Sequence, residues 1–182
     1  MRADWAAAWS PAQRRLHWAN ASLILLAFPV AWVMVAVPLR ELLLKFVLFQ
    51  LHKTLGLLAL AVGVARLGIR LRRGRPDWDA GLPDWQRKAA EGLHTALYVL
   101  ILVVPALGYL VACTAPLQIP TLFLGFVPVP AVIGASQAWY PVLLQLHRGA
   151  AIGLVLLAAG HAAAAVHNHR RGLGVLRRMW SG

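Results

Sequence analysis

Four stretches of this chain are almost wholly apolar, and polar or proline-rich links separate them. They cover about Leu16–Val37, Phe46–Leu71, Leu93–Ala112 and Tyr140–Val166. Each offers the roughly 20 apolar residues that an α-helix needs to cross the hydrocarbon of a bilayer. A spanning segment must satisfy its own backbone polar groups, which a helix does. The pattern therefore predicts an all-α, integral membrane four-helix bundle. It forms a single membrane domain over residues 1–182, with links too short for a separate soluble domain.

Several of the polar interruptions of the spans are histidines. In the fourth span His147 and His161 stand fourteen residues apart, close to four helical turns. Both rings leave one face, roughly 21 Å apart along the axis. Gly149, Ala150, Ala151 and Gly153 follow the first, and Ala158 to Gly160 and Ala162 to Ala165 surround the second. Such small residues leave a surface on which a flat, bulky ring can rest. A lone histidine in a membrane helix also fits a simple hydrogen bond to a neighbouring helix. Two on one face, with room beside each, point instead to two haems stacked through the membrane. Each iron then needs a second axial ligand from another helix.

Charge orients the bundle. Only 13% of residues are charged and mean hydropathy is +0.65, against about 25% charged in soluble domains. A net charge of +12 in a soluble protein would suggest nucleic acid. Here the cations gather at membrane boundaries, which excludes that reading. Arg14 and Arg15 precede span one. Arg66, Arg70, Arg72, Arg73, Arg75, Arg87 and Lys88 surround the link from span two to span three. Arg170, Arg171, Arg177 and Arg178 follow span four. The other two links are poor in positive charge, so both termini are expected in the cytoplasm.

Local signals agree. Trp5 and Trp9 suit a membrane–water interface, and Ser10-Pro11 reads as a helix cap followed by proline in the first turn. No cleavable signal peptide is evident, because the first apolar run is full length. The single cysteine, Cys113, makes no internal disulfide, and without CxxCH no covalent haem attachment is expected; packing is its expected role. The link from Thr114 to Trp139 is uncharged and holds Pro116, Pro120, Pro128 and Pro130. Prolines so frequent forbid a continuous helix, and the link is expected to lie as an interfacial cap over the outer end.

Depth then sorts the ligands. His17 opens span one and pairs with His161 near the cytoplasmic surface. His52 lies early in the returning span two and pairs with His147 near the outer surface. Two histidines at each depth suit two bis-histidine haems better than zinc, which takes more protein ligands. A histidine proton relay is a further option. Arg66 stands fourteen residues past His52, where it either snorkels to headgroups or pairs with a haem propionate. His94, in span three, is expected to hydrogen-bond a propionate or a quinone. His167 and His169 are expected to be cytoplasmic and solvated, with the lining of a substrate pocket as the alternative.

Ordered motifs add to this. Ser10-Pro11-Ala12-Gln13 leading to Leu16-His17-Trp18, and Leu51-His52-Lys53-Thr54-Leu55-Gly56 with Arg66, come first. His94 with Tyr98, Pro105 and Gly108 follows, and then Leu124-Gly125-Phe126. His147, Gly160-His161-Ala162-Ala163-Ala164 and Leu176-Arg177-Arg178-Met179 complete the set. In this order the chain resembles the bacterial cytochrome b561 proteins over nearly its whole length. The resemblance implies a protein of the cytoplasmic (inner) membrane with two haems b, exchanging electrons with ubiquinone. It implies His17, His52, His147 and His161 as iron ligands. One branch of the family is superoxide oxidase, which passes electrons from periplasmic superoxide to quinone. The chain departs from that branch at His167-Asn168-His169, at Arg148, and in its outer link.

Two functions follow as expectations. In one, superoxide is oxidised at the outer side, drawn by a positive rim of Lys53, Arg148, Arg40 and Lys45. The same cations also suit a second role, holding propionates. In the other, the chain is a non-catalytic cytochrome b subunit that passes electrons between a periplasmic redox protein and the quinone pool.

Overall fold

The computed structural model describes residues 9–77 and 81–180. Trp5 lies outside them. Four long helices form the body: α1 (Pro11–Ala36), α2 (Leu42–Arg73), α3 (Asp84–Thr114) and α4 (Trp139–Arg170). All four are long and apolar enough to cross a membrane. They alternate in direction, so the start of α1 and the end of α4 share one end of the bundle, here termed the terminal end. A short helix α5 (Val175–Trp180) turns back at this end. There Trp18 donates its indole N–H to the Met179 carbonyl at 3.0 Å, and the Trp18 and Trp180 rings meet edge to face at 5.1 Å.

The expected cap starts α1. The Ser10 hydroxyl accepts from the Gln13 backbone N–H, and the Gln13 side chain accepts from the Ser10 N–H, so two otherwise unpaired donors are satisfied. Helices α2, α3 and α4 run up to nine residues beyond the apolar stretches. The longest extension, Asp84 to Gly92 at the start of α3, and the ends of α2 and α4 carry polar and charged residues, so they fall outside an apolar run.

Close packing joins α1 to α2, α2 to α3 and α3 to α4, whereas α4 makes no comparably close approach to α1 or α2 among the described residues. Small residues set the close contacts. Ala59 and Gly63, one turn apart, are both buried. A Cβ added at Gly63 would meet Leu102 at 3.2 Å. The fully buried Asn20 donates to the Ala59 carbonyl at 3.0 Å. Outward faces bear Leu25, Trp32, Leu43 and Val64, as a lipid-facing bundle requires. Cys113 is buried, in keeping with a packing role.

The link between α3 and α4 departs from expectation. Rather than lying over the bundle end, it contains an antiparallel hairpin, β1 (Thr121–Phe123) and β2 (Val127–Val129), bound to Gln50 and Thr54 of α2. The prolines that rule out a helix are compatible with a short two-stranded ribbon. At its tip Leu124 (φ 55°) and Gly125 (φ 86°) are left-handed, as a mirror-image hairpin turn demands. For Leu124 this costs about 1–2 kcal/mol.

Candidate functional site

Four histidines meet in two pairs, one above the other. The His17 and His161 rings lie 6.3 Å apart between centres, at 63°. The His52 and His147 rings lie 6.2 Å apart, at 78°. The first pair is near the terminal end and the second near the hairpin end. Both span from α4 to the α1–α2 side of the bundle, where α4 stands off. These are the pairs that helix direction and depth predict.

The separations test whether a metal fits. A metal–imidazole bond of about 2 Å on each side, plus about 1 Å from each nitrogen to its ring centre, requires about 6 Å between centres. Both pairs meet this. His94 does not: its ring centre is 5.1 Å from that of His161, too close for an iron between them. His94 thus stands beside the terminal-end pair, in edge contact with the His161 ring.

The second contacts of the rings differ between the pairs. His52 Nδ1 lies 3.1 Å from the Ala27 carbonyl, and His147 Nδ1 lies 2.9 Å from the Val104 carbonyl. A carbonyl only accepts, so each Nδ1 bears the proton and each Nε2 keeps a lone pair for a metal. Both are carbonyls of residues inside α1 and α3, and a carbonyl oxygen has a second lone pair for a side-chain donor beside its helical bond. Gly108 lets α3 approach the ring: a Cβ there would sit 2.9 Å from His147 Cε1.

At the terminal end a side chain takes this part. Arg66 Nη2 lies 2.8 Å from His17 Nδ1, and its guanidinium lies over the Tyr98 ring at 5.0 Å. Arg66 is thus turned into the bundle rather than snorkelling to headgroups. Guanidinium only donates, so Nδ1 of His17 accepts and a neutral ring holds its proton on Nε2. Ligation through that Nε2 and this hydrogen bond exclude one another. A metal at this pair would release Arg66 toward other acceptors.

The expected cationic rim is thinner than the sequence suggests. Lys45 is consumed in structure: its ammonium donates to the Met34 and Val37 carbonyls at 3.0 and 2.7 Å, capping the end of α1. Arg40 stands near Glu41 on an exposed turn. Lys53, part-buried, reaches the Ile119 carbonyl at 3.4 Å, while Arg148, His167 and His169 are exposed. Gln50 and Thr54 were not singled out by sequence, yet both bind the hairpin backbone. Polar residues in mid-span were the available signal. The carbonyls of Ala27 and Val104 have no signal, since every residue has one.

Comparison with known proteins identifies the family. Residues 8–182 match the family model for prokaryotic cytochrome b561. The chain is 34% identical over 121 residues to cytochrome b561 homolog 1 of Escherichia coli (strain K12), an alignment covering 66% of each protein. Members of this family generally bind haem b. Four apolar helices, paired intramembrane histidines and a family match across the chain converge: this protein belongs to the prokaryotic cytochrome b561 family and is a membrane cytochrome b of electron transfer.

Proposed function

We propose that the protein carries electrons across the bacterial inner membrane to ubiquinone, with superoxide as the donor. It would do so with two haems b, held by His17 with His161 and by His52 with His147. The observation that carries the proposal is the spacing of the two ring pairs, 6.3 and 6.2 Å between centres. When bound, haem b supplies a one-electron Fe(III)/Fe(II) relay.

The chain's own residues divide the remaining work. His52 and His147, each held through Nδ1 by a carbonyl, present Nε2 in a fixed direction. Arg66 and His94 flank the terminal-end pair, where a cation and an imidazole suit propionates or a quinone carbonyl. Arg14, Arg15, Arg72, Arg73, Arg87, Lys88, Arg170 and Arg171 all belong to the terminal end, which supports a cytoplasmic placement of that end. The hairpin end is then periplasmic, and Lys53 and Arg148 beside the ligands there favour a small anion. Each superoxide gives up one electron and leaves as dioxygen. Two such electrons with two protons convert ubiquinone to ubiquinol.

Stopped-flow mixing of the oxidised, haem-loaded protein with superoxide tests this. The reduced α-band should rise within the dead time or soon after, and added ubiquinone should reverse it. Failure of superoxide to reduce the protein, with ready reduction by ubiquinol, would sink the donor assignment and leave the quinone reaction standing.

A further inference from the structure

Guanidinium groups gather at the terminal end, and the contact of α1 with α2 fixes which of them meet. Arg66 on α2 reaches His17 on α1. Arg14 stands three residues before His17, and Arg70 four residues after Arg66, so each shares the helix face of its neighbour. Because α1 begins and α2 ends here, both lie about one turn nearer the terminal end than the His17–Arg66 contact. Beyond them Gln13 donates to the Gly74 carbonyl at 3.0 Å and closes the helix pair. His17 also faces His161 of α4, so the rung of Arg14 and Arg70 borders the side where α4 stands off.

The chain does not balance the charge on this rung. Arg14 Nη1 and Arg70 Nη1 are shielded from solvent and have no hydrogen-bond partner among the described residues. The contacts that these guanidiniums do make are with neutral groups. The Trp9 ring lies 5.5 Å from that of Arg70, and Tyr98 and His17 engage that of Arg66. The ion pairs among the described residues go elsewhere, from Arg40 to Glu41, Arg75 to Glu91 and Arg87 to Asp84. A guanidinium keeps its charge in proteins, and like charges withdrawn from water without an acid between them are costly. Arg15 and Arg72, their neighbours in sequence, are exposed and escape this cost. An oxyanion would satisfy both groups, since each offers a fork of N–H donors that matches two oxygens.

We infer that Arg14 and Arg70, with Arg66 beside them, form a seat for an oxyanion at the terminal end. Two sources carry that chemistry: a carboxylate of a haem held by His17 and His161, and the phosphate of an anionic lipid. The first rests on the haem reading proposed above; the second does not.

The test loads the full chain, in phosphatidylcholine nanodiscs, with haem or with haem dimethyl ester. Excess apomyoglobin then draws the haem off, and the α-band of the terminal-end site gives its rate of loss. Wild type should release the ester faster than the free acid. In Arg14→Gln with Arg70→Gln that ratio should fall about tenfold, the scale of a lost charge-assisted hydrogen bond. Arg15→Gln with Arg72→Gln removes the same charge from exposed positions and should keep the ratio. In a second arm, native mass spectrometry counts phosphatidylglycerol retained from mixed bilayers. If phosphate fills the seat, the variant of Arg14 and Arg70 retains about tenfold less of that lipid and keeps the ester ratio. Should the Gln pair not fold, Arg14→Lys with Arg70→Lys replaces it; charge without the fork should cost about threefold. A variant that matches the Arg15 and Arg72 control in both arms overturns the inference. Wild type that takes no haem at the terminal end refutes the haem reading instead, and the lipid arm then decides the seat alone.

Discussion

Replacing Gly108 by alanine should loosen one haem and spare the other. The added Cβ would lie 2.9 Å from Cε1 and 3.3 Å from Nδ1 of His147. Relief to ordinary contact needs a shift of about 0.5 Å away from α3. That shift stretches the 2.9 Å contact between His147 Nδ1 and the Val104 carbonyl to about 3.4 Å, near the limit for a hydrogen bond. The ring loses its fixed aim and part of its basicity together. Overpacking of this size costs about 1–3 kcal/mol, and lost second contacts to metal ligands typically cost 10- to 100-fold in affinity. Haem at the hairpin end should thus be held about ten- to a hundredfold more weakly. Titrating apo-protein with haem, and reading each site by its low-temperature α-band, measures this. A Gly108→Ala protein that retains both haems at wild-type affinity, with an unshifted spectrum, would refute the reasoning. A loss shared equally by both sites would refute it too, by showing a general defect of the bundle.

Further outcomes follow from the same geometry. The pyridine haemochrome assay should give two haems b per chain; a ratio near one would break the two-pair reading. His17→Ala or His161→Ala should remove the terminal-end haem and leave the other, and His52→Ala or His147→Ala should do the reverse. Loss of the same spectral species from His17→Ala and His52→Ala would show the pairing wrong. Lys53→Gln with Arg148→Gln should slow reduction by superoxide at low salt. The deficit should shrink near 1 M salt, where the Debye length is about 3 Å. An equal, salt-independent loss with a neutral donor would leave the two cations a structural role only.

The bundle was legible because hydropathy reports membrane crossing directly, and helical spacing put His147 and His161 on one face. Helix ends were less so. Asp84 to Gly92 and Arg72 with Arg73 are helical but not apolar, so a search for apolar runs stops short of them. The hairpin was hidden by its own chemistry. Its turn is Leu-Gly rather than the usual Asn-Gly, and its prolines read only as helix breakers. That Pro128 faces Leu122 depends on register, which emerges only once the strands pair. Lys45 and Arg66 were correctly seen as cations near the ends of the bundle. Their partners, carbonyls of α1 and a ring nitrogen, depend on side-chain direction that spacing does not determine.

The two histidine pairs also differ in what substitution can do to them. At the hairpin end the ring nitrogens are held by the carbonyls of Ala27 and Val104, which survive any change of side chain at those positions. At the terminal end His17 is addressed by Arg66, which a single codon change removes or recasts. A side-chain change at one position can therefore alter the surroundings of His17, while the aim of His52 and His147 stays set by the path of the main chain. The two ends of the bundle thus differ in how far a substitution can reach their histidines.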